Sequence, residues 1–193
     1  MYKSALLLLL AGAAASPALA QDASPFQGAR VEGIIGYDRV GIEDDGADGA
    51  VYGAGIGYDI QRGRGVFGIE AEISDSSADE CIGDVVIAGD ALCASAGRDL
   101  DVGGRAGAAV APNLLLYAKA GYSNARVSLD YDDGPGSTVA DYRISENLDG
   151  IRLGAGAEYA IGPNSYLKAE YRYSNYEQGF DRHQVVGGSG FRF

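Results

Sequence analysis

At 193 residues, with 27 acidic and 15 basic side chains, the chain has a net charge of −12. That balance repels phosphate backbones and excludes nucleic acid as a partner. Its 30 glycines, 13 tyrosines and lack of tryptophan depart from ordinary globular usage, yet the glycines alternate with apolar residues inside short segments, an order that a disordered chain does not show.

The first 20 residues read as a secretion signal. Lys3 supplies the positive start and residues 5–15 form an apolar, small-residue stretch. Pro17-Ala18-Leu19-Ala20 gives the small-x-small pattern before Gln21, so cleavage is expected after Ala20. A membrane anchor is disfavoured because the run is too short and no stop-transfer charges follow it. With Lys3 removed, 14 basic residues face 27 acidic ones and the net charge becomes −13. Residues 21–28 are expected to form a short periplasmic segment and residues 29–193 a single β-barrel domain. Nothing after residue 20 approaches the roughly 18 consecutive apolar residues of a spanning helix. A chain of this kind enters a membrane only as a closed barrel, whose strands satisfy each other's backbone groups.

From residue 29 onward, period-two alternation recurs in segments of about ten residues, the pattern of a barrel strand. In residues 50–60 one face carries Ala50, Tyr52, Ala54, Ile56, Tyr58 and Ile60, and the other Val51, Gly53, Gly55, Gly57 and Asp59. A helix would spread these types around its surface, whereas a strand sorts them. The same sorting recurs near residues 29–38, 66–74, 99–110, 114–125, 150–161, 166–176 and 184–193, which makes eight strands. Each has a neutral, mostly apolar face and a second face holding the midsegment charges. The expected fold is all-β: an eight-stranded antiparallel up-and-down transmembrane β-barrel.

A soluble sandwich also alternates, but the connections distinguish the two. Residues 61–65, 111–113 and 162–165 are tight turns, and between them lie longer, acidic stretches near 39–49, 75–98, 127–149 and 177–182. Short periplasmic turns alternating with longer external loops are the barrel pattern, with both termini in the periplasm. No proline falls inside a strand. Tyr37, Tyr52, Tyr122 and Tyr173 fall towards the external ends, and Tyr58, Phe67, Tyr159, Phe191 and Phe193 towards the periplasmic ends. Two such belts are what two membrane interfaces select.

The stretch Gly154-Ala155-Gly156-Ala157-Glu158-Tyr159, the Gly-Pro-Asn turn after it and Lys168-Ala169-Glu170-Tyr171-Arg172-Tyr173-Ser174-Asn175 resemble the outer-membrane β-barrel family that includes opacity-type surface antigens. With Gly190-Phe191-Arg192-Phe193 they are similar to the family's last three strands. The resemblance implies an eight-stranded barrel in the outer membrane of a Gram-negative cell, in contact with its lipid and lipopolysaccharide. It also implies delivery by the barrel-assembly machinery through a terminal phenylalanine signal, which Phe193 and Phe191 fit. It does not imply one activity, since members serve as antigens, adhesins, envelope stabilisers or narrow pores. The longer OmpA-type members carry a peptidoglycan-binding domain beyond the last strand, and no such cell-wall tether is expected here.

The inward charges are the principal candidate site. Glu70, Glu72, Arg105, Lys119, Arg152, Glu158, Lys168, Glu170 and Arg172 share the enclosed face, with Glu32 nearby. An eight-stranded barrel has an interior only wide enough for side chains to fill, and charges there must pair. An internal salt-bridge plug is therefore expected, with a narrow ion-selective channel as its rival.

Cys81 and Cys93 flank an acidic segment and, in an oxidising compartment, are expected to form a disulfide. They lack the further ligands that a zinc site needs. The external stretches are rich in carboxylates, among them Glu43, Asp44, Asp45, Asp48, Asp79, Glu80, Asp84, Asp90, Asp130, Asp132, Asp133 and Asp141. Asp130-Tyr131-Asp132-Asp133-Gly134 lacks the full spacing and closing glutamate of a calcium loop. These stretches read as a solvated acidic surface facing host or environmental ligands. His183 is the only histidine and lies on the outward parity, while Ser174 on the neighbouring strand lies inward. A lipid A-modifying enzyme of the His/Ser kind is accordingly disfavoured. Gly53-x-Gly55-x-Gly57 opens no helix and is no dinucleotide motif. The expected product is a monomeric, non-enzymatic, cofactor-free envelope protein.

Overall fold

The computed structural model describes residues 25–42, 45–83, 91–132 and 142–193. The signal segment, its cleavage junction and Glu43, Asp44, Asp84, Asp90, Asp133 and Asp141 lie outside the described residues. The described chain is nearly all strand: β1 (Gly28–Ile42), β2 (Asp45–Arg62), β3 (Gly65–Ser76), β4 (Asp79–Gly83), β5 (Ala91–Ala111), β6 (Leu114–Asp132), β7 (Tyr142–Ala160), β8 (Ser165–Tyr176) and β9 (Phe180–Arg192). A 3-10 turn, Glu177–Gly179, is the only helical element among the described residues.

Neighbouring strands pair antiparallel in the order β3-β2-β1-β9-β8-β7-β6-β5-β4, and a further β3–β5 pairing closes the sheet. The result is a closed barrel of eight staves. The short β4 continues the line of β3 past Ser77 and Ala78 and pairs only with the outer part of β5.

Closure follows from the alternation. Along β8, Tyr166, Lys168, Glu170, Arg172, Ser174 and Tyr176 are buried while Leu167, Ala169 and Tyr171 face out. The outward set is strongly apolar, with Ile35 68% and Ile69 70% exposed. In water that surface would be an aggregation hazard; against lipid it is the stabilising face. The tyrosines and phenylalanines of both expected belts lie on this face, with Tyr52 and Tyr58 towards opposite ends of β2 and Phe191 and Phe193 where β9 ends.

The strands outrun their expected lengths. A tilted membrane strand needs about 9–11 residues, whereas β5 has 21 and β6 and β7 have 19 each. Much of the sequence expected as loops near 75–98 and 127–149 is therefore sheet. Ala91 of β5 pairs with Asp132 of β6, and Tyr131 of β6 with Tyr142 of β7. Backbone donors and acceptors beyond the lipid still demand partners, and pairing extends the ladder until the chain must reverse. A register shift between Ala96 and Asp99 marks the start of the projecting part of β5.

The seam between the first and last strands depends on Gly28. Its φ is +123°, and a Cβ there would lie 2.1 Å from the Phe193 carbonyl oxygen. This left-handed turn admits only glycine and redirects the preceding residues towards the barrel mouth. Phe26 is fully buried there against Val66, Leu115 and Tyr117. The segment expected to lie in the periplasm thus ends inside the barrel.

Candidate functional site: the charged barrel interior

Inward positions hold ions rather than an apolar core. At the end of the barrel where β1 begins and β9 ends, Asp59 is the hub. Its carboxylate accepts from Arg30 Nε at 3.1 Å, Arg105 Nη2 at 2.6 Å and Arg192 Nη2 at 3.0 Å. Glu158 bridges two of the same cations, taking Arg105 Nη2 at 3.1 Å and Arg192 Nη1 at 2.7 Å. The five side chains come from β1, β2, β5, β7 and β9, and all the pairs except Arg30–Asp59 reach past an intervening stave. Below this tier the N-terminal segment is held in place. The Phe26 amide donates to Gln61 Oε1 at 3.1 Å, and Arg192 Nη1 donates to the Pro25 carbonyl at 3.1 Å. The Arg192 guanidinium also lies 5.8 Å from the Phe26 ring centroid and 5.0 Å from that of Tyr166.

Midway up the barrel, Glu32 accepts from Arg30 Nη1 at 2.9 Å, Lys168 Nζ at 2.5 Å and Tyr166 Oη at 2.7 Å. Arg172 reaches across to Glu72 with a two-pronged contact of 2.5 and 2.7 Å and also pairs with Glu170. Tyr117 Oη donates to Glu170 at 2.6 Å, and Lys119 pairs with Glu70. Inward glycines leave room for these long side chains: a Cβ on Gly154 would lie 2.8 Å from Lys119 Cγ, and one on Gly57 2.8 Å from the Arg30 guanidinium.

The outer tier is centred on Asp99. It accepts from Ser123 Oγ at 2.6 Å, Tyr176 Oη at 3.0 Å and Arg182 Nη1 at 2.9 Å, and it pairs with Arg152. Arg152 Nε donates to Ser174 Oγ at 2.8 Å, and Arg182 Nε to Asp38 at 2.8 Å. Above it, Ala125, Leu148 and Tyr176 pack with Val127 and Phe180 into an apolar layer.

Glu70, Glu72, Arg105, Lys119, Arg152, Glu158, Lys168, Glu170 and Arg172, the nine expected lumen charges, are all buried inside. Sequence reasoning missed Arg30, Asp38, Asp59, Asp99, Asp101, Arg182 and Arg192, which complete the network. Their parity was the available signal: each continues the inward face of its strand. Arg182 lies in the part of β9 that extends beyond the strand expected from sequence, and Asp38 is the last residue of the expected first strand.

Outside the lumen, Cys81 and Cys93 are joined by a disulfide across directly opposed positions of β4 and β5. The bond crosslinks the projecting hairpin rather than the barrel wall. Replacing both cysteines by serine is therefore expected to leave the heat stability of the barrel unchanged while speeding proteolytic cleavage between residues 79 and 96, read by limited digestion of intact cells.

His183 sits on the outward wall, its Nδ1 2.7 Å from Tyr171 Oη and its Nε2 3.2 Å from Asp181. Ser174 is fully buried on the lumen side and bonded to Arg152. The wall of the barrel separates this hydroxyl from this imidazole. Among the described residues no group of three His, Cys, Asp or Glu side chains is arranged to hold a metal ion; part of the acidic stretch Asp130-Tyr131-Asp132-Asp133-Gly134 lies outside them.

A closed barrel with a lipid-compatible outer wall and an ionic interior matches one family model, that of the outer membrane protein β-barrel domain, over residues 5–193. The chain belongs to this family. A 22 kDa outer membrane protein of Rhizobium leguminosarum bv. viciae is 28% identical over 174 residues, covering 82% of this chain and 75% of the relative. The 31 kDa outer-membrane immunogenic protein of Brucella melitensis is 30% identical over 140 residues, covering 70% of this chain but 57% of that protein. Among solved structures, Neisserial surface protein A shares the fold, with a TM-score of 0.60 at 17% identity over 86% of this chain and 97% of the other. The family barrel resides in the outer membrane, with the apolar wall described above turned towards lipid.

Proposed function

We propose that this protein is a structural, surface-exposed component of the outer membrane with the character of a surface antigen, and that its barrel is closed to ions. The observation that carries this reading is the filling of the lumen. Nine carboxylates and eight cations, none more than 7% exposed, pair across it from all eight staves. An open channel would leave a continuous file of hydrated groups, whereas here the ions face one another and Phe26 caps the periplasmic end. The immunogenic naming of a relative supports the antigen role. The outward acidic ends offer the surface that host or environmental molecules would meet, and outward Phe191 and Phe193 suit a hand-hold for the barrel-assembly machinery. The separation of His183 from Ser174 supports a non-enzymatic role, and unchanged lipid A on overexpression is the expected result by mass spectrometry.

The refolded monomer is expected to migrate faster on a gel when unheated than when boiled. In planar bilayers it should give no stable conductance steps. Steps that change in size on Arg105→Ala or Glu70→Ala would overturn the closed-lumen reading in favour of a narrow pore.

A further inference from the structure

The bonds of the lumen form two connected groups. The inner group runs from Asp59, Arg105, Glu158 and Arg192 through Arg30 to Glu32, Glu70, Glu72 and Arg172. The outer group links Asp38, Arg182, Asp99 and Arg152. Among the described residues no hydrogen bond or ion pair joins one group to the other, and Asp101 lies at the break. Its register partners are Glu72 of β3, in the inner group, and Ser123 of β6, in the outer.

Asp101 is 1% exposed, and neither of its carboxylate oxygens accepts a hydrogen bond. Its ion pair is a loose one, with Lys119 Nζ at 3.6 Å. The charged groups that act on it are Arg152 of β7, Lys119 of β6 and Glu72 and Glu70 of β3. Two further buried atoms near the break lack hydrogen-bond partners, Ser74 Oγ and Arg152 Nη1, and the Lys119 ammonium, paired with Glu70, has donors to spare. Ser74 is opposite Asp99, one pleat from Asp101. Gly121 packs close by, and a Cβ there would come within 3.1 Å of Asp101 Oδ2.

The charge count is consistent with this. Eight buried cations face nine buried carboxylates, and Asp101 is the carboxylate that no cation holds by a hydrogen bond. An uncompensated buried carboxylate is strongly disfavoured unless other dipoles solvate it. A metal cation fits poorly, because Lys119 and Arg152 direct positive charge into the same space. Water suits a site that mixes unfilled donors with unfilled acceptors, and buried waters in proteins make about three such bonds each.

We propose that this break is a binding site for bridging water, which hydrogen-bonds Asp101 to Ser74, Lys119 and Arg152 and so joins the two ion-pair groups. The proposal stands whether or not the barrel conducts. It is tested by high-resolution structures of the wild-type barrel, Asp101→Asn and Asp101→Leu in detergent, with heat-modification midpoints for all three. Expected are ordered water within hydrogen-bond reach of Asp101 and of at least one of the other three side chains, its retention in Asp101→Asn and its loss in Asp101→Leu. The leucine variant should also unfold several degrees earlier than the other two. Direct hydrogen bonding of Asp101 to Lys119 or Arg152 with no water between, a metal ion in the site, or a leucine variant as heat-stable as wild type would each overturn it. If the leucine variant fails to fold, the wild-type and asparagine structures still decide.

Discussion

Asp59→Asn is expected to be the most damaging conservative substitution in the barrel, lowering stability by about 3–5 kcal/mol, the range for breaking a buried ion pair by removing one partner. Asp59 is fully buried and receives Arg30, Arg105 and Arg192 at once. The amide keeps the size of the carboxylate but removes the charge, leaving Glu158 as the nearest shared acceptor for Arg105 and Arg192. Three guanidinium groups would then repel one another in a space closed to bulk water. The measurement is the temperature at which the fast-migrating folded band converts to the slow unfolded band, with urea midpoints as a check. The double variant Asp59→Asn with Arg105→Met should recover part of the loss, since the second change removes the cation that the first left unpaired. Additive losses would show that the pair is not coupled, and an unchanged midpoint for Asp59→Asn alone would mean that the tier contributes nothing.

The contrast with the outward wall explains why that position and not another carries the effect. Outward replacements such as Ile69→Val or Leu153→Ile exchange one apolar group for another against lipid and should move the midpoint little. Interior charges have no such latitude. All but Asp101 are compensated by a close partner from a different stave, so the interior specifies the strand register as well as filling the lumen.

Much of this could be read from the sequence, because a barrel wall is a period-two object and the chain keeps the period strictly. In residues 66–74 the division between Phe67, Ile69, Ala71 and Ile73 outward and Glu70 and Glu72 inward is the division seen in β3. The tight turns with Pro112 and Pro163 fell between strands, as a residue without an amide donor requires. Strand ends were less legible. In β5 and β6, Leu92, Ala96, Val127 and Leu129 keep the alternation beyond the lipid, but the dense carboxylates around them have the composition of a loop. Hydrogen-bond demand, which leaves no compositional trace, decided in favour of strand. Who pairs with whom was also hidden. Parity places Arg30 and Asp59 on the enclosed face, but only the stagger between β1, β2 and β5 brings Arg30 and Arg105 together on Asp59, or Asp99 within reach of both Arg152 and Arg182. The burial of Phe26 had no periodic signal at all, because the residue precedes the first strand and its position depends on the turn at Gly28.

Phe26→Ala supplies the second large expected effect, and a different kind of one. Truncating a buried phenylalanine in a packed core costs about 3–5 kcal/mol. Phe26, however, belongs to a segment held by one backbone bond to Gln61 and one from Arg192, so once its ring is gone the segment can release without unfolding the barrel. The heat-modification midpoint should therefore fall less than in Asp59→Asn. Access to the lumen should change sharply. Val66 and Leu115 pack directly against the ring, and a cysteine placed at Leu115 should be inert to a charged thiol reagent in the wild-type background but react readily once Phe26 is alanine. The native cysteines do not interfere, being joined to each other. Phe26→Leu should restore protection, since a large apolar group refills the same space. If the Leu115→Cys thiol reacts equally fast with and without Phe26, the ring does not seal the periplasmic mouth, and closure of the lumen rests on the ion pairs alone.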